Sequence, residues 1–378
     1  MLSTQFSFKF IIAFFFSTLL LDLSMSKAQQ LFPGNSFEGR LVLGSHAIGG
    51  PGGALQDKLY GFDLSFKKNI SHLTDNWVKR SNLKSAGIEF IFRDLKYLKG
   101  YQDTSANSFG QAYGIAGQMN FELLRSGNFT VNLRPAVGLS YLNKTFFTNK
   151  KNRFIGSHLN EIIKADLVFQ IPLNSKIDLS AGAGFLHYSN GGYRIPNSGI
   201  NMLSISTGLK FKTPDVEKQS RQTNYSQLNK NTFEINFGIG RRGAYERRTG
   251  LLKSGIYAGY NFFVNDVFSV KAGFDAVYYY TVFNPAPIRD IETFQYYGTS
   301  YDRWRSGLSL GGETNIWRLA LNAQVGKYLH YNSYYKDINW YWTTGLVYYV
   351  NPHIGLQAKT YFHKSQADFI NFGMVFKL

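Results

Sequence analysis

From about residue 36 to the C-terminus, apolar and polar side chains alternate in runs of roughly 10–15 residues, the signature of strands with two unlike faces. The runs begin near residues 36, 59, 85, 108, 128, 158, 175, 199, 231, 252, 267, 302, 316, 337, 353 and 367, predicting about sixteen β-strands. The run 177–189 is representative. Its odd positions, Ile177, Leu179, Ala181, Ala183 and Phe185, are apolar and end in His187 and Ser189. Its even positions, such as Asp178, Ser180, Gly182 and Gly184, are small or polar. The run after it behaves alike, with Asn201, Leu203, Ile205, Thr207, Leu209 and Phe211 on one face. Connectors alternate as well. Tight turns at 125–128, 172–176, 265–267 and 351–353 are interleaved with longer polar loops at 144–157, 190–199, 241–252 and 281–302.

Short turns at one end and long loops at the other are the wiring of a transmembrane antiparallel β-barrel. A closed ladder satisfies every backbone group without water, as a sheet in lipid must. The expected fold class is therefore all-β, with the strands in one barrel of about sixteen; the alternative is two tandem barrels of about eight strands each. A faint internal repeat raises that alternative, because Ser206–Lys212 resembles Asn371–Lys377 and Phe37–Leu41 resembles Phe233–Phe237. A soluble sandwich explains the alternation but not the strand length or the loop asymmetry. Aromatic groups at strand ends, Tyr278–Tyr280, Trp340–Trp342 and Tyr348–Tyr349, suit interfacial belts.

Composition sharpens the address. Glycine (37), tyrosine (25) and phenylalanine (33) are abundant and cysteine is absent, so disulfides and thiolate metal sites are ruled out. Lys9, the apolar stretch 10–21 and the site Ser26-Lys27-Ala28 have the layout of a signal peptide over residues 1–28, cleaved before Gln29. An uncleaved anchor is disfavoured because the apolar core is short. The last strand ends in Asn371, Gly373, Phe376 and Leu378, which resembles the terminal signal read by the bacterial barrel-insertion machinery. These features predict the outer membrane of a Gram-negative cell. The formal charge of +17 then suits anionic lipid headgroups or lipopolysaccharide phosphates rather than nucleic acid. Candidate basic loops hold Lys144, Lys150, Lys151 and Arg153, and Arg241, Arg242, Arg247 and Arg248.

Candidate chemistry is concentrated between residues 185 and 201. His187 and Ser189 share one strand face, so an imidazole can take the proton of a hydroxyl nucleophile after modest rotamer adjustment. Asn201 falls on the same face of the next strand. The turn between supplies Asn190, Gly191, Gly192 and Asn197 as candidate donors to an oxyanion. A second His-x-Ser, His363 and Ser365, lies on the polar side of its strand and is expected to face the barrel interior without catalysing anything. No phosphate loop, dinucleotide fingerprint or zinc motif is present, so neither a cofactor nor a metal is expected.

The longer pattern His187-Tyr-Ser-Asn-Gly-Gly-x-x-x-Pro-Asn-x-Gly-Ile200 resembles the signature of the PagL-type lipid A deacylases, outer-membrane serine esterases built on eight-stranded barrels. The resemblance implies Ser189 as nucleophile, His187 as its base, Asn190 and Asn197 as oxyanion support, and lipid A of the outer leaflet as substrate. The motif similarity spans about residues 185–201 and the domain similarity roughly residues 36–212, so the expected organisation is a signal peptide at 1–28 followed by a deacylase region at 29–212. A polar connector at 213–230 and further strands at 231–378 are additional to it. The family's third catalytic residue is a glutamate, and Asn201 stands at that position here. Asparagine can fix the imidazole tautomer but cannot supply charge to an imidazolium. Glu161, on the preceding strand, is the candidate substitute. The competing reading is a non-catalytic barrel, either a channel or a lipopolysaccharide-binding structural protein. The oligomeric state is left open by the sequence.

Overall fold

The computed structural model describes residues 34–46, 58–99, 107–213, 228, 230–244, 246, 248–280, 303–331, 339–364 and 366–378. The predicted signal peptide, Arg247 and Ser365 lie outside these residues. Among these described residues sixteen strands form. The first eight are β1 (Asn35–His46), β2 (Lys58–Asn69), β3 (Leu83–Asp94), β4 (Gln111–Ser126), β5 (Phe129–Leu142), β6 (Leu159–Pro172), β7 (Ile177–Ser189) and β8 (Ile200–Lys212). The second eight are β9 (Thr232–Gly243), β10 (Gly250–Phe263), β11 (Phe268–Tyr279), β12 (Trp304–Ile316), β13 (Leu319–His330), β14 (Trp340–Asn351), β15 (Ile354–His363) and β16 (Gln366–Lys377). Among the described residues one short helix, α1 (Asn76–Ser81), sits in the β2–β3 connection.

The strands close into two antiparallel barrels, β1–β8 and β9–β16, instead of the single larger barrel expected from the pattern. Strand β8 pairs with β1 from Ser36 opposite Lys212 to His46 opposite Met202, and β16 pairs with β9 from Asn371 opposite Gly240 to Lys377 opposite Glu234. The reason lies in the lumen. Eight strands enclose a bore that side chains can fill, whereas sixteen leave an aqueous channel. In the first barrel Arg40 of β1 reaches Asp63 of β2 (3.3 Å), Glu89 of β3 (3.0 Å) and Asp166 of β6 (2.5 Å). Lys164 joins the same carboxylates, and Arg134 of β5 crosses to Glu38 of β1 at 2.8 Å. Charges from opposite walls meet directly only in a narrow bore. The second barrel repeats the solution with other residues. Asp275 of β11 accepts from Lys359 (2.7 Å), Ser309 (2.6 Å), Tyr341 (2.9 Å) and Tyr361 (3.0 Å).

Along every strand the alternation sorts residues as lipid-facing or lumen-facing. Leu179, Leu203, Ile205, Ile163 and Leu139 are exposed on the exterior of the first barrel, and Leu308, Leu310 and Phe372 on that of the second. The aromatic groups split between the two sides. Trp340, Trp342, Tyr280 and Tyr348 face outward, but Tyr279, Tyr341 and Tyr349 are buried inside. Consecutive residues point to opposite faces, so a run of three cannot all join a belt. Tyr279 instead donates to Asp368 at 2.6 Å. His363 faces the lumen as expected, 2.7 Å from the Tyr328 hydroxyl.

The first lumen is layered. Under the long loops an apolar plug forms from Leu59, Ile91, Phe109, Phe154, Leu186 and Tyr188. The ion network follows. At the short-turn end a polar cavity of about 460 Å³ opens, lined by Asn35, Asn120, Glu122, Asp178, Lys210 and Lys212.

The barrels stand side by side with their short turns at the same end. There, Trp77 and Val78 of α1 cluster with Val267 and Ile316 of the second barrel, and Arg80 Nε donates to Asp266 at 3.2 Å. At the long-loop end the β7–β8 loop meets β9. Gly243 N–H donates to the Gly192 carbonyl at 2.7 Å and Glu246 N–H to the Ile195 carbonyl at 3.1 Å.

Candidate active site

The alternation that makes β7 and β8 lipid-facing on their odd positions also gathers three polar side chains at one rim. His187 and Asn201 are direct cross-strand partners, and such a pair brings its Cβ atoms to about 5 Å. The imidazole Nδ1 lies 2.6 Å from Asn201 Oδ1. An imidazole that donates from Nδ1 to a carbonyl keeps its lone pair on Nε2, the atom a general base uses. Asn201 is thus hydrogen-bonded to the histidine from the facing strand.

Ser189 is buried at the top of the same strand face. Its Oγ accepts a hydrogen bond from Gly191 N–H (3.1 Å) and another from Asn197 Nδ2 (3.0 Å). It makes no hydrogen bond with His187. Side chains two residues apart on a strand are separated by about 6.5 Å of backbone, and the two donors draw Oγ away from the imidazole. Rotation of the serine toward His187 would leave both donors convergent on a position beside the nucleophile, the geometry an oxyanion requires.

The four predicted donors therefore divide. Gly191 and Asn197 point at Ser189. Asn190 instead shapes the loop, its Oδ1 accepting from Gly192 N–H (3.1 Å) and Arg194 N–H (3.3 Å) while its Nδ2 donates to the Arg194 carbonyl (3.1 Å). Gly192 N–H is consumed by Asn190, so it does not face a substrate. Gly191 and Gly192 adopt φ of 59° and 85°, the left-handed region open to glycine, and this lets the chain reverse immediately after the serine.

Glu161 of β6 is the direct partner of Ser189 in the β6–β7 ladder and faces the exterior with it. It does not contact His187, whose neighbours across the ladders are Ile163 and Asn201. The carboxylate considered as a stand-in for the family's acid therefore pairs with Ser189 and not with His187.

The alternation of polar and apolar residues does not show that the second barrel would border this site. An alanine Cβ at Gly191 would meet the Ile370 side chain, and one at Gly192 would meet the Asp368 carbonyl oxygen at 2.7 Å, both from β16. Arg153 of the β5–β6 loop pairs with Glu246 of the β9–β10 loop at 3.8 Å. The only advance signal was the cluster of arginines at 241–248.

Residues 61–210 match the family model of lipid A 3-O-deacylase (PagL), and residues 231–378 match that of the acyloxyacyl hydrolase C-terminal domain. No curated protein matches the sequence. Among solved structures the chain is similar to Neisserial surface protein A (13% identity, 47% of this chain and 97% of that one, TM-score 0.32). It is also similar to the FrpB iron transporter of Neisseria meningitidis (8% identity, 85% and 64%, TM-score 0.21) and to Omp33 of Acinetobacter baumannii (6% identity, 92% and 98%, TM-score 0.17).

Proposed function

Because the chain belongs to the lipid A 3-O-deacylase (PagL) family, with its two matched segments spanning both barrels, we propose that it is an outer-membrane serine esterase that releases an ester-linked acyl chain from lipid A. The observation that carries this reading is the hydrogen-bonded arrangement of His187, Asn201, Ser189, Gly191 and Asn197 at the long-loop rim of β7 and β8, on the side whose strand parity is outward. A substrate with its acyl chains in the bilayer reaches that rim by lateral diffusion, with no need to leave the membrane.

In the proposed reaction Ser189 Oγ turns toward His187 and attacks the ester carbonyl carbon while Nε2 takes its proton. The carbonyl oxygen, now negative, accepts from Gly191 N–H and Asn197 Nδ2. The tetrahedral adduct collapses, His187 returns the proton to the departing sugar oxygen, and an acyl-serine ester remains. Water, deprotonated by His187, hydrolyses that ester, so one fatty acid is released and the enzyme is regenerated. Asn201 holds the imidazole in the required tautomer throughout but adds no charge to stabilise imidazolium. A slower enzyme than one with a carboxylate at that position is the consequence. Export by the signal peptide and insertion by the barrel-assembly machinery complete the proposal.

The non-catalytic reading draws on Asn201 and on the added second half. Its channel form is opposed by the buried ion networks and aromatic residues that block both lumens. A lipid-like fluorophosphonate tests the chemistry. Attack by Ser189 forms a phosphonyl ester and expels fluoride, adding the probe mass to the peptide containing Ser189. Labelling is expected in the wild type and lost in His187→Ala and Ser189→Ala. A folded wild-type barrel that stays unlabelled would refute the proposal.

A further inference from the structure

Close to the candidate catalytic loop, three arginines from both barrels converge. Arg194 belongs to the β7–β8 loop, and its backbone is pinned to Asn190, the residue after Ser189. Arg241 is at the end of β9 and Arg248 in the β9–β10 loop. Tyr193 brings the first two together, with the guanidinium carbon of Arg194 5.4 Å and that of Arg241 5.2 Å from its ring centre. Arg241 Nη2 donates to the Arg248 carbonyl at 3.1 Å, and the Arg248 guanidinium lies over Phe147 of the β5–β6 loop at 5.6 Å. Lys150 covers the neighbouring Phe146 ring at 4.2 Å.

These charges lack counterions. Among the described residues no carboxylate pairs with Arg194, Arg241 or Arg248, and Glu246, the acid of the same loop, is engaged with Arg153. Arg194 Nη1 and Arg241 Nε are shielded from water and have no hydrogen-bond partner. Burial, and then the Arg241 and Arg248 charges, lower the Arg194 pKa below its ordinary value. Like charges held together repel one another, and a donor shielded from water and left unpaired is costly. An anion seated among them would relieve both. Guanidinium groups stacked on aromatic faces present their N–H edges as a fork, which suits phosphate oxygens.

We propose that Arg194, Arg241 and Arg248 form a composite site for a phosphate group of the glycolipid whose ester is presented to Ser189, so that the second barrel takes part in substrate recognition. This inference rests on the deacylase reading for the identity of the lipid. The shared anchor explains why the loop carrying Arg194 is hydrogen-bonded to β9 and abuts β16. Docking fixes the spacing between the anion site and the nucleophile.

Binding can be measured without hydrolysis. The full-length Ser189→Ala protein in detergent micelles would be titrated with diphosphoryl lipid A and with the same lipid after removal of its phosphates. A preference of about tenfold or more for the phosphorylated lipid is expected, since removing one charge-assisted hydrogen bond weakens binding on the order of tenfold. Adding Arg194→Gln, Arg241→Gln and Arg248→Gln together should abolish that preference, and the three Arg→Lys replacements should retain part of it. Each Arg→Gln change alone should give a smaller loss, which keeps the test intact if the triple variant fails to fold. Equal binding of both lipids by Ser189→Ala, or a preference unaffected by the glutamines, would overturn the site. Inorganic phosphate that displaces the lipid at equal concentration would overturn the lipid as the source of the anion. A chain that binds with this preference yet resists the fluorophosphonate would leave the phosphate site standing and defeat the esterase reading alone.

Discussion

Replacing Asn201 is the most informative change to the candidate machinery. Its Oδ1 is 2.6 Å from His187 Nδ1, and among the described residues no other side chain is hydrogen-bonded to that imidazole. In the proposed reaction the ring becomes cationic when Ser189 gives up its proton, and a hydrogen bond to a charged group contributes about 1.5–3 kcal/mol. Asn201→Ala should therefore lower kcat roughly 10- to 150-fold. Asn201→Asp keeps the shape and adds a full charge. At a separation of about 4 Å and an effective dielectric of about 20, the attraction to imidazolium is about 4 kcal/mol. Desolvating the carboxylate at a half-buried rim removes part of this. A remaining gain of about 1–3 kcal/mol predicts a rate roughly 5- to 150-fold above wild type. Fatty acid release from lipid A micelles at saturating substrate measures both variants, with heat-modifiable gel migration confirming folded barrels. Asn201→Ala within threefold of wild type would remove Asn201 from the mechanism. Asn201→Asp slower than Asn201→Ala would show that charge is not what the site lacks.

Other consequences follow from the same contacts. Asp63→Asn leaves Arg93, Lys164 and Arg40 short of a buried counter-charge, and a loss of about 3–5 kcal/mol in stability is expected from urea unfolding of the first barrel. Gly192→Ala puts a side chain at φ 85° with its Cβ 2.7 Å from the Asp368 carbonyl. The strain of about 1–2 kcal/mol should loosen the loop from β16 and cut hydrolysis several-fold, while thermal unfolding of the barrels barely moves. Glu161→Gln should change kcat by less than about threefold, because this carboxylate is hydrogen-bonded to neither His187 nor Ser189; a loss above tenfold would give it a chemical role. With both lumens blocked, planar bilayers containing the protein should show no steady conductance, and a reproducible open state would contradict the described packing.

The strands were legible because a lipid-facing barrel enforces period-two alternation over every segment, and each predicted start falls within a few residues of the observed one. Which strand closes on which was not legible. Alternation specifies the face a residue takes, but closure is decided by pairs such as Arg40 with Asp166, 126 positions apart, that no local pattern connects. At the candidate site, the shared face of His187, Ser189 and Asn201 could be read from parity alone, and the cross-strand register then brings His187 and Asn201 together. The division of labour within the turn could not. Asn190 and Asn197 look equivalent in the sequence, yet backbone reversal at Gly191 and Gly192 aims one into the loop and the other at Ser189. The border with the second barrel depends on how two closed surfaces dock, and its only trace in the sequence was the excess of arginine near residue 241.

Mass spectrometry of lipid A from Gram-negative cells expressing the wild type or Ser189→Ala tests the central claim most directly. Lipid A from wild-type cells is expected to lose the mass of one ester-linked acyl chain, and Ser189→Ala is expected to leave it intact, with both proteins folded in the outer membrane. Intact lipid A in both strains would contradict the esterase. Loss of the chain in both would contradict Ser189 as its nucleophile.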